Sequence, residues 1–260
     1  MSRNSQEHES SATETSWALI TGSTSGIGRA TAIRLAQDGY SIVVTGRDPH
    51  RAAETRDLIE SAGGHAVDLP ADLSDPAQVR NLIKRIFDAI DGPLDVVVNN
   101  AGGGGFALTE DATENMFDAS FNTHVKAPYF LVAAFAPPMA ERGRGKIINI
   151  GSLSTAMGSA GTSIFQASKA ALSMLTKSWT AEYGPRGVQI NSVDPGFVIT
   201  PATEAYGDAY DGFLSSLPAG RGARPEEIAE VIRFLASPQA TYLQGASISV
   251  DGGKNAVVAM

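Results

Sequence analysis

The chain contains no cysteine. Disulfide staples, thiol nucleophiles and cysteine-bound zinc are thereby excluded. Histidine is scarce as well, with four in 260 residues, so a metal site would rest mostly on carboxylates, and none is expected. Basic residues number 20 against 28 acidic ones, a net charge of -8. That balance opposes the positive surface a phosphate backbone requires, so neither nucleic acid nor an anionic membrane is expected as a partner. No run approaches the roughly 20 apolar residues of a membrane helix. Residues 1–14, MSRNSQEHESSATE, have no apolar segment of the signal-peptide kind and read as a disordered tail. Nothing directs export, and a cytoplasmic location is the expectation.

With 43% hydrophobic residues and 27 glycines, the remaining chain has the composition of an ordinary globular protein. Short apolar, β-branched runs alternate with stretches of helical spacing. WALITG (17–22) runs into GIGRATAIRLAQDG (26–39), and SIVVTG (41–46) into DPHRAAETRDLIESAGG (48–64), where Asp48 and Pro49 have the chemistry of a cap and first turn. The pattern continues through LDVVVNNAG, a long helical region from about Thr113 to Glu141, KIINIGS, VQINSV and ASISVDGG. It predicts one α/β domain over 15–260, a Rossmann-type doubly wound parallel sheet of about seven strands with helices on both faces. Ligands of such sheets bind beyond the carboxyl ends of the strands.

TGSTSGIG (21–28) places three glycines between a strand and a helix, where bare backbone can approach a pyrophosphate at the helix N-terminus. With ADL, NNAG (99–102), INIGS, ASK, PG and DGG following in that order, the sequence resembles the short-chain dehydrogenase/reductase (SDR) family over essentially its whole length past the tail. The resemblance implies a nicotinamide-dependent oxidoreductase acting on a small-molecule substrate. It assigns cofactor binding to Gly22, Ser23, Ser25, Gly26, Ile27 and Gly28, to Asp72 and Leu73 beside the adenine, and to Asn100, Ala101 and Gly102 at the ribose. Pro195, Gly196, Val198 and Thr200 would face the carboxamide. At the end of the second strand stands Gly46-Arg47 without an acid directly at that position. A guanidinium there suits a 2′-phosphate, so NADP(H) is expected over NAD(H), while Asp48 caps its helix or competes for the ribose. The family forms dimers or tetramers, which makes a homodimer or homotetramer the expected assembly.

One further absence concerns the chemistry. No tyrosine occurs between Tyr129 and Tyr183, yet the family's catalytic tyrosine belongs there, as the proton donor that a nearby lysine activates. Taking Ser152 as the family's serine, that position falls on Phe165 in TSIFQASKAAL, and the family lysine on Lys169. A second departure puts His124 where the family commonly has asparagine; Asn122 lies about 200° around a regular helix from it. Pro128 leaves the carbonyl of His124 without its helical donor. The chain therefore resembles an atypical family member. The leading expectation is hydride transfer to C=N, C=C or an activated carbonyl, with the proton drawn from His124, solvent or the substrate. The alternatives are a non-redox dehydratase, isomerase or cyclase, and a catalytically silent subunit. Asp194, Tyr206 and Tyr210 are subsidiary acid or phenol candidates.

Overall fold

A computed structural model describes residues 15–204 and 211–257. The expected tail over 1–14, and Tyr206 and Tyr210, lie outside the described residues.

Seven parallel strands form one sheet in the order β3-β2-β1-β4-β5-β6-β7. They are β1 Trp17–Thr21, β2 Ser41–Thr45, β3 Ala66–Asp68, β4 Leu94–Asn99, β5 Gly145–Ile150, β6 Val188–Pro195 and β7 Ser247–Val250. The helices between them are α1 Gly26–Gln37, α2 Pro49–Ser61, α3 Pro76–Ala89, α4 Glu114–Phe121, α5 Ala127–Glu141, α6 Ser163–Tyr183, α7 Pro201–Glu204, α8 Asp211–Ser215 and α9 Pro225–Ala236. No helix among the described residues is long and apolar enough to cross a membrane.

Successive side chains of a strand point to opposite faces, and the sheet uses this to build two cores. Leu19, Val97, Ile147 and Ile190 pack beneath α3, α5 and α6 with Leu82, Leu131 and Trp179. Ile20, Val44, Val98 and Ile148 pack on the other face against α1, α2 and α9 with Leu35, Ile59 and Ile232. Burial on both faces explains why the strands read as continuous apolar runs.

The long helical region expected over 113–141 is interrupted. Residues Asn122–Lys126 form a π turn, in which Ala127 N–H donates to the Asn122 carbonyl, five residues back. Such a turn accommodates one extra residue and lets the helix pass a proline that cannot donate, here Pro128. Asn122 ends on the side lined by Leu73, Pro76 and Phe130, away from the buried His124.

Strand order reverses between β1 and β4, which opens a crevice at their carboxyl ends. Gly28 sets its floor. A Cβ there would fall 2.2 Å from the Gly22 carbonyl oxygen and 2.5 Å from Asn100 Nδ2, so α1 can approach the strand only over a bare backbone. Gly28→Ala is expected to lower unfolding free energy by about 1–3 kcal/mol through overpacking. Gly158→Ala is the control, since Gly158 faces open space and is not among the positive-φ glycines; its unfolding free energy in urea melts is expected to stay within about 0.5 kcal/mol of the parent.

Candidate active site

The crevice is stitched by polar groups of its own walls. Thr21 Oγ1 accepts from the backbone N–H of Asn100 and of Ala101, each at 2.9 Å, while Asn100 Nδ2 donates to the carbonyls of Thr21 (2.8 Å) and Gly22 (3.3 Å). Ser23 is fully buried, and its hydroxyl accepts from Thr45 N–H at 2.9 Å. It ties the glycine loop to β2 and holds that loop's shape, which differs from the direct ligand role expected from the sequence. Ser25 stands at the N-terminus of α1 and makes no capping bond. Gly22 and Gly26 have φ of 66° and 51°, and a Cβ on Gly26 would meet Thr200 Cγ2 at 3.1 Å. The glycine loop and the 195–200 segment therefore face one another across a gap that side chains would fill.

The remaining expected cofactor positions occupy the same edge. Arg47 is exposed and forms no ion pair among the described residues, whereas Asp48 caps α2 by accepting from His50 and Arg51 N–H. Asp72 Oδ1 accepts from the N–H and hydroxyl of Ser74, and Leu73 is buried in the core, so the Leu73 side chain is turned from the crevice. Gly196 donates its N–H to the Val250 carbonyl, Val198 bridges to Ala223, and Thr200 N–H is held by Thr203 Oγ1 at 2.8 Å. A nucleotide with a pyrophosphate fits this cradle of bare backbone, free helix N-terminus and unpaired guanidinium.

Beyond the cradle lie Ser152, Phe165, Lys169 and His124. Ser152 Oγ is 2.8 Å from Ser154 Oγ and accepts from Ser154 N–H. Two hydroxyls sharing one mutual bond leave one O–H to point at a ligand oxygen. Phe165 is one helical turn before Lys169 on α6, its ring packed at 5.3 Å from Phe106 and edge-on to His124 at 5.6 Å between centroids. Lys169 is buried, 5.9 Å from the centre of that ring, and donates to the Ile150 carbonyl at 2.7 Å. Burial pulls its ammonium down to about 8, against the opposing influence of Asp194.

His124 is 1% exposed, and both ring nitrogens are occupied. Nε2 accepts from Gly103 N–H at 3.1 Å, so the proton sits on Nδ1, which lies 2.8 Å from Ser168 Oγ. The Ser168 hydroxyl in turn donates to the Phe165 carbonyl, and Ser120 Oγ is 3.2 Å from the same Nδ1. Burial, with the nearby Lys169 charge, pushes the imidazole down to about 3. At neutral pH it is an uncharged tether for the glycine-rich loop after β4, where Gly103, Gly104 and Gly105 all have positive φ. A Cβ on Gly102 would lie 2.9 Å from His124 Nε2 and 3.4 Å from Lys169 Nζ, so both groups border the same small space. Asp194, a subsidiary acid candidate in the sequence, is buried and accepts from the hydroxyls of Ser192 and Ser247 through its two carboxylate oxygens.

Ser120, Ser154, Ser168 and Phe106 escape sequence reasoning. The only available signals are the i−4 spacing of Ser120 to His124 and the adjacency of Ser168 to Lys169.

Across residues 22–255 the chain matches the family model described as enoyl-(acyl carrier protein) reductase. It is 34% identical over 236 residues to the 3-oxoacyl-(acyl-carrier-protein) reductase FabG of Thermotoga maritima, covering 90% of this chain and 96% of that one. A solved structure described as a short chain dehydrogenase/reductase family protein aligns with TM-score 0.84 and 43% identity, over 94% of this chain and 98% of that one. The 3-oxoacyl (acyl-carrier-protein) reductase of Agrobacterium tumefaciens C58, solved with NADP bound, aligns with TM-score 0.86 and 28% identity, over 92% and 93%.

The buried imidazole carries a stability signature. Its proton is bound by the unfolded chain below the ordinary histidine value but by the folded chain only near pH 3, so its contribution is intact above about pH 6.5 and is lost as pH falls toward 3. The loss should amount to roughly 3–5 kcal/mol. His124→Gln, which does not titrate, is expected to flatten this acid limb in urea melts compared at neutral and acidic pH.

Proposed function

The chain belongs to the short-chain dehydrogenase/reductase family, and from that premise we propose that it is an NADP(H)-dependent oxidoreductase whose proton donor is neither a phenol at position 165 nor His124. When bound, the nicotinamide would supply or accept hydride. Binding falls to the chain: Gly22, Gly26 and Gly28 would give backbone room for the pyrophosphate, Ser25 stands at the α1 N-terminus, Arg47 would offer a free guanidinium to a 2′-phosphate, and the Lys169 ammonium, with one N–H on the Ile150 carbonyl, would have further N–H donors for the ribose. The NADP-bound relative supports the choice of cofactor.

The observation that carries the reading is the phenyl ring of Phe165 beside Lys169. Phenylalanine has no proton to give, and the imidazole edge-on to it is neutral, with its N–H committed to Ser168. The Ser152–Ser154 pair can hold an oxygen through a hydroxyl, but serine is a poor acid at neutral pH. The substrates such a site serves best need no protonated heteroatom in the hydride step: an iminium, a conjugated C=C, or a carbonyl already activated within the substrate. Solvent or substrate then provides the proton. Simple ketones, whose reduction leaves an alkoxide to be protonated, are the poorest match. Relatives named as 3-oxoacyl-(acyl-carrier-protein) reductases lend support to the activated carbonyl among these three. Assembly as a homodimer or homotetramer belongs to the same reading, supported by the exposed Phe117, Tyr129, Phe130 and Met174 on the long helices.

Titration with NADPH and NADH tests the cofactor. NADPH is expected to bind more tightly, with Arg47→Asp reducing its advantage by about 10-fold or more; binding of neither would sink the proposal. Phe165→Tyr is expected to raise turnover of a simple ketone by about 10²–10⁴-fold, read as NADPH consumption. An unchanged rate would mean that the missing phenol is not what limits this site.

A further inference from the structure

Lys169 is buried, and its one hydrogen bond among the groups described is to a neutral acceptor, the Ile150 carbonyl. Four of the elements around it present uncharged groups. Its own helix presents the Phe165 ring, the π turn presents neutral His124, the loop after β4 presents Gly102, and β5 presents Ile150. None carries charge. An ammonium so enclosed would shed its proton unless an anion lay close by.

The anion comes from β6. Asp194 is 7% exposed, and both carboxylate oxygens act as acceptors, Oδ1 from the Ser192 hydroxyl at 2.6 Å and Oδ2 from the Ser247 hydroxyl. Two hydroxyl donors from β6 and β7 are the complement of a carboxylate. No cation forms a salt bridge with it among the described residues. The carboxylate lies against the backbone of Gly151, where a Cβ would fall 2.1 Å from Oδ1, and the preceding residue is Ile150, whose carbonyl takes the lysine. Ammonium and carboxylate thus flank the chain where it leaves β5, at Ile150 and Gly151. Only glycine at 151 leaves room for them to do so.

We infer that Asp194 is the counter-ion of Lys169, a positioning residue that keeps the lysine protonated at neutral pH in a site where no phenol among the described residues shares its charge. The seryl hydroxyls hold the carboxylate in place, and its negative charge acts on the ammonium across the Ile150–Gly151 backbone, in agreement with the direction of its influence on the lysine. Without it, desolvation alone would govern the amine, and about half of it would be neutral near pH 7. The effect on cofactor affinity rests on the function proposed above; the protonation state of the lysine does not.

The test is therefore made without cofactor, by following the Lys169 resonance in [13Cε]lysine-labelled protein over neutral to alkaline pH, with Lys169→Met identifying the signal. The parent is expected to titrate at about 8, and Asp194→Asn to move the midpoint acidward by about one unit, a tenfold change in acidity. Ser247→Ala keeps the charge and removes one of its hydrogen bonds, so it should leave the midpoint near that of the parent. Should Asp194→Asn fail to fold, Asp194→Ser, which also removes the charge and keeps a hydroxyl, carries the same expectation. An unmoved midpoint in the uncharged variant overturns the inference, as does an equal shift in Ser247→Ala, which would mark the effect as structural. In the same variants NADPH affinity is expected to weaken at lower pH than in the parent. Loss of that last result alone, with the lysine shift present, would count against the cofactor reading and leave the counter-ion intact.

Discussion

The crossed hydrogen bonds between Thr21 and Asn100 hold β1 and β4 together where the sheet reverses its order, and the rest of the site is suspended from that junction. Thr21 contributes one hydroxyl that satisfies two backbone donors, and Asn100 one amide that satisfies two backbone carbonyls. Four main-chain groups at the mouth of the crevice are thereby removed from competition for water or ligand. The chain leaves β1 in the direction that lets Gly28 seat α1 against it, and leaves β4 in the direction that brings Gly102 and Gly103 to His124 and Lys169.

Past that junction, the site separates two ways of being polar. Toward the glycine loop, donors and a free guanidinium meet solvent. Toward Phe165, polar groups are enclosed and satisfied internally. The imidazole spends its donor on a serine and its acceptor on a backbone N–H, and the lysine has one neutral partner and one anion beyond it. In a low-dielectric setting an unpaired group would be costly, and a satisfied network is correspondingly rigid. A histidine that replaces asparagine in such a place brings bulk and a fixed tautomer rather than a titratable proton.

Much of this was legible in the sequence. Two-sided burial forces continuous apolar strands, so the alternation of elements, the parallel sheet and the crevice loops follow from local pattern, and the cap Asp48 with its proline is local chemistry too. The positions of Phe165 and Lys169 on one helix face also follow from spacing. What could not be read is whatever depends on partners distant in the chain. Ser23 turns toward Thr45 because β2 lies beside the loop, and Leu73 turns into the core because α3 and α5 cover it. The choice between an acidic and a neutral His124 depends on Ser168, 44 residues away, and on the backbone of Gly103. Asp194 reads locally as a turn residue before Pro-Gly; its seryl partner on β7 is 53 residues further on.

The π turn at Asn122–Lys126 makes the helical region a matter of counting. It carries one residue beyond what a regular helix would need, so α4 and α5 run out of phase with each other. Deleting any one residue from the turn would allow an uninterrupted helix, but would rotate everything on one side by about 100° relative to the other. Either His124 would swing away from Gly103, or Leu131, Phe135 and Met139 would leave the core they fill. In this segment the chain is more tolerant of a changed letter than of a changed length.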